Sequence, residues 1–215
     1  MPASIAAVPP ARRLEPADLA WATALLLNAC ADHPVLHYCC QGPTAPAQRR
    51  WLLEQLLSFG LRYGRAYTNT EGTALAVWLG PSSVGATWRQ LLRTGLLASA
   101  LVQLGWNGAQ RLRRFVAASA WVRRRDAAAN QSPPHYLLAL AVHPAHRGRG
   151  HGQRLLQATL AVAQPASAPS CLSLQEPSQL PFYQRQGFRL LGECQAGLGA
   201  DGPTCWELVR LGVFG

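Results

Sequence analysis

The chain has 215 residues, 49% of them hydrophobic, and a formal net charge of +10. This length and apolar content suit one domain with a sizeable core and exclude an intrinsically disordered chain. All of the positive charge comes from arginine, since the sequence contains no lysine. Arginine clusters at 111–114 and 123–125 are compatible with an anionic partner, such as nucleic acid, a membrane surface or the phosphates of coenzyme A, although a solvated helix face is the preferred explanation.

No segment predicts membrane insertion or secretion. The longest apolar stretch, residues 96–106, has about half of the length that a transmembrane helix needs. The amino-terminal residues 1–10 lack the basic start and the apolar core of a signal peptide. We therefore expect a cytoplasmic protein without a membrane span.

The six cysteines form no C-x-x-C pair and have no histidines at zinc-finger spacing. In a reducing compartment they are expected to be small buried residues rather than metal ligands. The sequence therefore predicts no metal site. The cysteines are Cys30, Cys39, Cys40, Cys171, Cys194 and Cys205.

Turn and cap patterns predict strands and helices in the amino-terminal part. Pro16 and Asp18 begin the first helix, because proline suits the first helical position and an acidic residue stabilises the first turn. Glu71 and Gly72 join two strands as an antiparallel hairpin. The predicted elements are a strand at 12–15, helices at 16–30 and 45–63 with a polar loop at 32–34 between them, and strands at 65–69 and 73–79.

Residues 82–129 carry no strand pattern and are interpreted as a helical insertion within a single domain that spans 1–215. Two helix-like runs, 87–104 and 109–125, are separated by a predicted break at 105–108. We expect this insertion to pack over a substrate cleft, although its leucines and arginines also permit an amphipathic face on a membrane surface.

The carboxy-terminal part alternates predicted strands and helices. The whole pattern predicts the α/β class, as an α+β mixed sheet that is central, twisted and flanked by helices. The predicted elements are a strand at 136–142, a helix at 153–163, a strand at 171–175, a short helix at 181–186, and a hairpin of strands at 188–194 and 205–211 around a turn at 197–202.

A glycine-rich loop between the strand at 136–142 and the helix at 153–163 is the most informative feature of the chain. Glycine permits positive φ and a close approach of the backbone to a ligand. The first N–H groups of the following helix have no internal partners and, with the helix dipole, suit a pyrophosphate. The loop is Arg147, Gly148, Arg149, Gly150, His151 and Gly152.

Two better-known phosphate loops do not match. A Walker A loop ends in Gly-Lys-Ser/Thr, and this chain has no lysine. The dinucleotide fingerprint needs G-x-G-x-x-G early in a βαβ unit and an acidic residue about 20 positions later. Here the glycines alternate and the next acidic residue is Glu176.

The loop resembles the (Arg/Gln)-x-x-Gly-x-(Gly/Ala) motif of the GNAT superfamily of acyl-CoA-dependent N-acyltransferases, present here as Arg147-x-x-Gly150-x-Gly152. Residues 180–189, Leu-Pro-Phe-Tyr-Gln-Arg-Gln-Gly-Phe-Arg, are similar to a downstream motif of the superfamily, in which a short helix with a tyrosine leads into a strand. The resemblance covers 136–191. It implies a GNAT-like fold in which two parallel strands splay apart around the acyl-pantetheine arm.

The resemblance also implies acetyl-CoA as cosubstrate. Leu140, Ala141 and Val142 would bind the pantetheine arm through their backbone, although an apolar strand is also explained as core. The loop residues Arg147, Gly148, Arg149, Gly150, His151 and Gly152 would hold the pyrophosphate through N–H groups and arginine charge. Arg154 would reach the 3′-phosphate, and His143 and His146 are expected to orient the loop.

Two residues are candidates for catalysis. Tyr183 lies where many members of the superfamily use a tyrosine as general acid, and a phenol with a reference pKa of about 10 stays protonated at neutral pH. Packing between helix and sheet is the alternative role. Glu176 is the leading candidate for the general base. Asp32, His33 and Ser173 are the candidate residues of the acceptor site.

The predicted function is transfer of an acetyl or short acyl group from acetyl-CoA to a primary amine by direct attack in a ternary complex. The amine is a small molecule or a peptide, and the protein is a monomer or a homodimer. The alternative is a catalytically weak module on the same fold that senses acyl-CoA or binds nucleic acid.

Overall fold

A seven-stranded mixed sheet forms the centre of the structure, a computed structural model that describes residues 11–42, 44–81, 96–129, 134–163, 168–194 and 201–212. The strand order is β1-β2-β3-β4-β5-β7-β6. Only β4 and β5 pair in parallel, and all other neighbours are antiparallel. The strands are β1 (Arg12–Arg13), β2 (Gly64–Thr68), β3 (Ala74–Leu79), β4 (His135–Val142), β5 (Ser170–Leu174), β6 (Arg189–Cys194) and β7 (Cys205–Arg210).

Helices cover both faces of this sheet. The α-helices are α1 (Leu19–Ala29), α2 (Pro34–Cys39), α3 (Ala45–Tyr63), α4 (Leu96–Ala129), α5 (His151–Ala163) and α6 (Leu180–Arg185), and short 3-10 turns lie at Pro16–Asp18, Pro144–His146 and Pro177–Gln179. The mixed sheet between helices confirms the predicted fold class.

Alternation along β3 divides the core into two layers. Leu75 and Val77 pack with α1 and α3, whereas Ala76 and Trp78 pack with α5 and α6. Successive side chains of a strand point to opposite faces, so a strand that is covered on both faces is apolar throughout. All six residues of β3 are accordingly buried.

The strands β4 and β5 part soon after they begin to pair. Their register covers only 135–137 on β4 and 170–172 on β5. On the other side of β4, the register with β3 shifts between Val77 and Trp78, which leaves Leu138 without a partner. Such an extra residue bends its strand. From Leu138 onward, β4 therefore has a strand partner on one side only.

Three predicted boundaries need correction. The predicted polar loop at 32–34 ends in an unpredicted helix, since Pro34 begins α2 and the His33 ring accepts a hydrogen bond from the Val35 N–H at 3.3 Å. The break predicted at 105–108 is confined to Gly105 (φ 67°), because a single positive-φ glycine is enough to kink the helix. The helix after the glycine loop begins at His151, two residues earlier than predicted.

Parts of other predictions fall outside the described residues. They are the start of the helix-like run at 87–104, the connector before β5 and most of the turn at 197–202. The helix-like run predicted at 109–125 continues to Ala129. The other predicted strands and helices lie within one or two residues of the observed ones.

Four of the cysteines are buried, in agreement with the sequence prediction, and Cys30 is partly exposed. Burial raises the pKa of the Cys39 thiol to about 12 and that of the Cys40 thiol to about 11. These thiols are therefore protonated and behave as small apolar residues. Within the described part of the chain, no helix combines the length and the apolar character that crossing a bilayer requires.

Helix α3 runs into β2 without a loop, and Gly64 makes this junction possible. Gly64 pairs with Leu79 of the neighbouring strand β3. A Cβ atom at Gly64 would collide with the backbone carbonyl oxygen of Trp78, the preceding residue of that strand. We expect Gly64→Ala to lower the free energy of unfolding by about 2 kcal/mol, because backbone atoms cannot move aside as a flexible side chain can.

The matched control is Gly80→Ala, at the same open end of the hairpin but after the other strand, where an added Cβ meets no atom within 4 Å. Its free energy of unfolding should change by less than about 0.5 kcal/mol in a urea titration. Equal effects of the two substitutions would contradict this account of the junction.

Candidate active site

One cavity of about 1280 Å³ crosses the sheet where β4 and β5 part. On one side it is lined by the glycine loop and α6, and on the other by the end of α1, α2, α3 and α4. Both diverging strands contribute residues to its walls. Ligands of open α/β sheets commonly bind at such a point, beyond the carboxyl ends of the strands.

The glycine loop presents unpaired backbone donors to this cavity. Gly148 and Gly150 have φ values of 75° and 77°, a conformation that glycine adopts without strain. The first hydrogen bond of α5 runs from the Arg154 N–H to the Gly150 carbonyl at 3.0 Å. Within the described chain, the N–H groups of residues 150–153 therefore have no acceptor, which makes this helix end suited to an anion.

Gly152 keeps the base of this loop compact. A Cβ atom there would lie 3.1 Å from the Val142 side chain at the end of β4. Helix α5 can therefore begin directly against the strand that lines the cavity. Close packing of helix on strand at the third glycine is also how other phosphate-binding loops are built.

Arg147 braces the loop against α1. Its guanidinium group donates a hydrogen bond of 2.7 Å to the Ala29 carbonyl, and its N–H donates to the Pro144 carbonyl at 3.2 Å. The His143 ring accepts from the Ala145 N–H at 3.3 Å, which agrees with the loop-orienting role expected for it. The backbone N–H and one side of the guanidinium group of Arg147 are therefore engaged within the protein, whereas the backbone N–H groups of residues 150–153 are free.

Arg154 and His151 lie together at the outer edge of the loop. The Arg154 guanidinium group is 3.5 Å from the His151 Nδ1 atom, and it would lie 3.0 Å from a Cβ atom at Gly150. Glu71, His146 and His151 place ligand-type atoms within 4.8 Å of one another. Because the arginine adds positive charge beside them, we assign no metal to this cluster.

The predicted pantetheine strand residues line the cavity as expected. Leu140, Ala141 and Val142 pair with β3 on one side, and on the other side the short β4–β5 pairing has already ended. Their backbone groups on the β5 side thus face the gap between the two strands. The described geometry brings this stretch and the glycine loop to one cavity.

Tyr183 lies on α6 and reaches the same cavity. Its ring makes edge contacts with Phe182 and Phe188, at centroid distances of 4.9 and 5.8 Å, and only 5% of the residue is exposed. Burial raises the pKa of the phenol well above its ordinary value. The hydroxyl is therefore protonated throughout the physiological range, and no described residue hydrogen-bonds to it.

Glu176 lies two residues beyond the end of β5, across the cavity from the α1–α2 loop. Its carboxylate accepts a hydrogen bond of 2.9 Å from the Gln179 side chain. Burial lowers the pKa of His33, and the nearby Glu176 carboxylate acts in the opposite direction. Ser173, which lies on β5, accepts a hydrogen bond of 3.1 Å from the side chain of Gln175.

The α1–α2 loop forms the opposite wall. Asp32 is exposed and lines the cavity. Because the Nδ1 atom of His33 accepts the Val35 N–H, the neutral His33 ring carries its proton on Nε2. His33 is thus a hydrogen-bond donor toward the cavity rather than a base.

Sequence reasoning did not identify which residues of α4 line the cavity. Leu112, Phe115 and Val116 from this helix line the cavity together with residues of α3. The insertion therefore packs over the cleft, which was the preferred of its two interpretations. The i, i+3, i+4 spacing of Leu112, Phe115 and Val116 shows an apolar stripe, but the sequence does not show which surface the stripe covers.

A family model described as an acetyltransferase (GNAT) domain matches residues 106–190. The match contains the glycine loop, β5, Glu176 and Tyr183. It begins at Trp106, so it also contains the second part of the segment interpreted as an insertion.

Solved acetyltransferases share the whole architecture. One structure is described as histone acetyltransferase HPA2 and related acetyltransferase from Corynebacterium glutamicum. It is 21% identical to this chain, has a TM-score of 0.64, and matches over 96% of this chain and 98% of its own chain. An agmatine N-acetyltransferase mutant is 18% identical, with a TM-score of 0.61 over 94% and 98%. The polyamine N-acetyltransferase of Drosophila melanogaster is also 18% identical, with a TM-score of 0.58 over the same shares.

The family match over both motifs and the shared fold confirm the resemblance found in the sequence: residues 106–190 match a GNAT acetyltransferase domain, and the chain has the fold of solved acetyltransferases.

Proposed function

We propose that this protein transfers an acetyl or another short acyl group from acetyl-CoA to a primary amine, by direct attack in a ternary complex. The observation that carries the proposal is the continuous cavity, which joins the free N–H groups of residues 150–153 to Tyr183 and Glu176 through the gap between β4 and β5. Relatives of the same fold named for agmatine and polyamine acetylation support an amine acceptor.

The cosubstrate fits the described residues. The unpaired N–H groups at the start of α5 suit the pyrophosphate, and Arg154 lies beside them with a guanidinium group that suits a further phosphate. The open edge of β4 offers backbone donors and acceptors for the amide groups of the pantetheine arm. The thioester would then reach the middle of the sheet, where backbone N–H groups can stabilise the developing oxyanion.

Glu176 is the proposed general base. An alkylammonium ion has a pKa of about 10, so it must lose a proton before its nitrogen can attack. The carboxylate faces the α1–α2 loop across the cavity, and Gln179 holds one of its oxygens by a hydrogen bond. The second oxygen is available to accept the proton of the ammonium group, directly or through water.

Tyr183 is the proposed general acid. When the amine nitrogen bonds to the acyl carbon, the carbon–sulfur bond breaks and the thiolate of coenzyme A leaves. The buried phenol holds its proton at neutral pH and can give it to the sulfur, which completes the amide and the free thiol.

Direct transfer is favoured over an acyl-cysteine intermediate. Cys30 lines the cavity, but burial raises its pKa to about 11, the Glu176 carboxylate adds to this shift, and Arg147 opposes it. The thiol form is a poor nucleophile. Among the described cysteines, none is therefore activated for acyl transfer.

An acyl-CoA sensor or nucleic-acid-binding module on the same fold is the alternative. It would bind acetyl-CoA, or bind DNA with an affinity that depends on salt concentration, and would release no thiol in the presence of any amine. A thiol-release assay across amine classes therefore decides between the two functions.

The first prediction concerns the glycine loop. Gly150→Ala places a Cβ atom at positive φ and 3.0 Å from the Arg154 guanidinium group. We expect acetyl-CoA affinity, measured by isothermal titration calorimetry, to fall about tenfold, which corresponds to one hydrogen bond to a charged group. Gly42→Ala is the matched control, since Gly42 has φ +81° but no atom within 4 Å of the added Cβ.

Both glycine substitutions should cost about 1–2 kcal/mol of stability from backbone strain. Only Gly150→Ala should weaken acetyl-CoA binding. If Gly42→Ala weakens it equally, or neither does, the loop is not the phosphate site.

The second prediction concerns Tyr183. Tyr183→Phe keeps the ring contacts and removes the proton donor, so kcat should fall about 100-fold while acetyl-CoA affinity stays the same. Because burial raises the pKa of the phenol, wild-type kcat should show no loss below about pH 10 from ionisation of this group. Tyr67→Phe is the control, since Tyr67 is buried in the same core cluster but does not line the cavity.

The third prediction concerns Glu176. Glu176→Gln should lower kcat/KM for the amine about 100-fold at pH 7. The deficit should shrink as the pH approaches the amine pKa, because the fraction of free amine rises about tenfold per pH unit and no base is needed for it. Glu193→Gln on the exposed edge strand serves as control. A deficit that does not depend on pH would remove Glu176 from the role of base.

A further inference from the structure

We propose that the acceptor is a primary amine with a single positive charge and a bulky apolar substituent, aromatic or branched aliphatic. This inference rests on the proposed acyl transfer and concerns the half of the cavity that lies beyond the thioester position. It follows from the shape and the charges of that half.

Two helices give this half apolar walls. Leu52, Leu56 and Phe59 follow one another at i, i+4 and i+7 on α3, so they form one stripe along the helix. The spacing of Phe115 and Val116 relative to Leu112 gives a second stripe on α4. Leu52 packs in the same cluster as Phe115 and Val116, so the two stripes meet in one wall.

The apolar walls begin next to the polar groups that would bind and deprotonate the amine. Val35 lies two residues after His33 and packs in the cluster that contains Leu112. His33 in turn lies within the electrostatic reach of Glu176. An amine nitrogen held at Glu176 therefore has its substituent directed along α2 toward the stripes of α3 and α4.

The charges that line the cavity do not suit a second cation. Among the described lining residues, the carboxylates are Asp32 and Glu176, and the guanidinium groups are Arg62, Arg147 and Arg185. Arg62 follows Phe59 by one helical turn at the end of the apolar stripe. A diamine that extended past this stripe would thus place its second ammonium group beside the exposed guanidinium group of Arg62, a charge of the same sign.

Apolar surface supplies the binding energy for the substituent instead. Burial of an aromatic or branched group against these side chains is favourable because it removes apolar surface from water. The partly exposed state of Leu56, Phe59, Phe115 and Val116 leaves such surface open to a ligand. The acceptor preferences in the names of the agmatine and polyamine relatives are therefore not expected here.

The test compares amines at saturating acetyl-CoA in the thiol-release assay. The panel contains 2-phenylethylamine, 3-methylbutylamine, ethylamine, 1,4-diaminobutane and agmatine. We expect kcat/KM for the two bulky monoamines to exceed that for ethylamine and for the two dications by about tenfold or more.

Phe115→Ala should raise KM for 2-phenylethylamine about tenfold, a much larger increase than it causes in the KM for ethylamine. Trp106→Ala is the matched control, because Trp106 lies on the same helix, is 68% exposed and does not line the cavity. If Phe115→Ala fails to fold, Val116→Ala paired with Val102→Ala, whose parent valine is 82% exposed, gives the same comparison.

Several outcomes overturn the inference. Preference for 1,4-diaminobutane or agmatine would contradict it and leave the acyltransferase function intact, as would equal rates for all amines. Equal effects of the cavity variants and their exposed controls would also contradict it. If acetyl-CoA binds but no amine releases thiol, the proposed function fails, and this inference fails with it.

Discussion

The site depends on the short pairing of β4 with β5. A sheet normally satisfies the backbone groups of both neighbours along their full length, yet these strands share register for three residues only. The bulge at Leu138 on the β3 side bends β4 at the same level. Because the strands then diverge, a cavity can cross the sheet, and the end of β4 leads directly into the glycine loop.

A hydrogen bond within the protein joins the two halves of the cavity. Arg147 leaves the glycine loop and hydrogen-bonds the last carbonyl of α1, which directly precedes the loop with Asp32 and His33. Carbonyls at a helix carboxyl end lack internal partners and attract a cation. The position of the glycine loop is thereby tied to the position of the α1–α2 loop, so the proposed sites of both substrates depend on one local geometry.

Local patterns in the sequence predicted most of the fold and the cosubstrate half of the site. Glycine spacing, apolar alternation and cap residues act over a few positions, and the strands, α3, the loop and α6 follow from them. Helix α2 was missed because His33 is an unusual cap, and the lining role of Phe115 was missed because it depends on where α4 packs. Glu71, His146 and His151 meet only through the hairpin and the loop, which no local pattern shows. The cytoplasmic location stays a prediction.

The basic character of the protein is compatible with the proposed cationic substrate because most of the described arginines lie outside the cavity. Arg113 and Arg114 are exposed on α4, next to residues of the same helix that face the cavity with apolar side chains. Exposed charges are screened over about 8 Å at physiological ionic strength, so they act weakly on an ammonium group within the cleft. Glu176, which is partly buried inside the cleft, is screened less than these exposed groups. A substrate with one positive charge therefore finds a carboxylate partner, and the rest of its binding energy has to come from apolar contact.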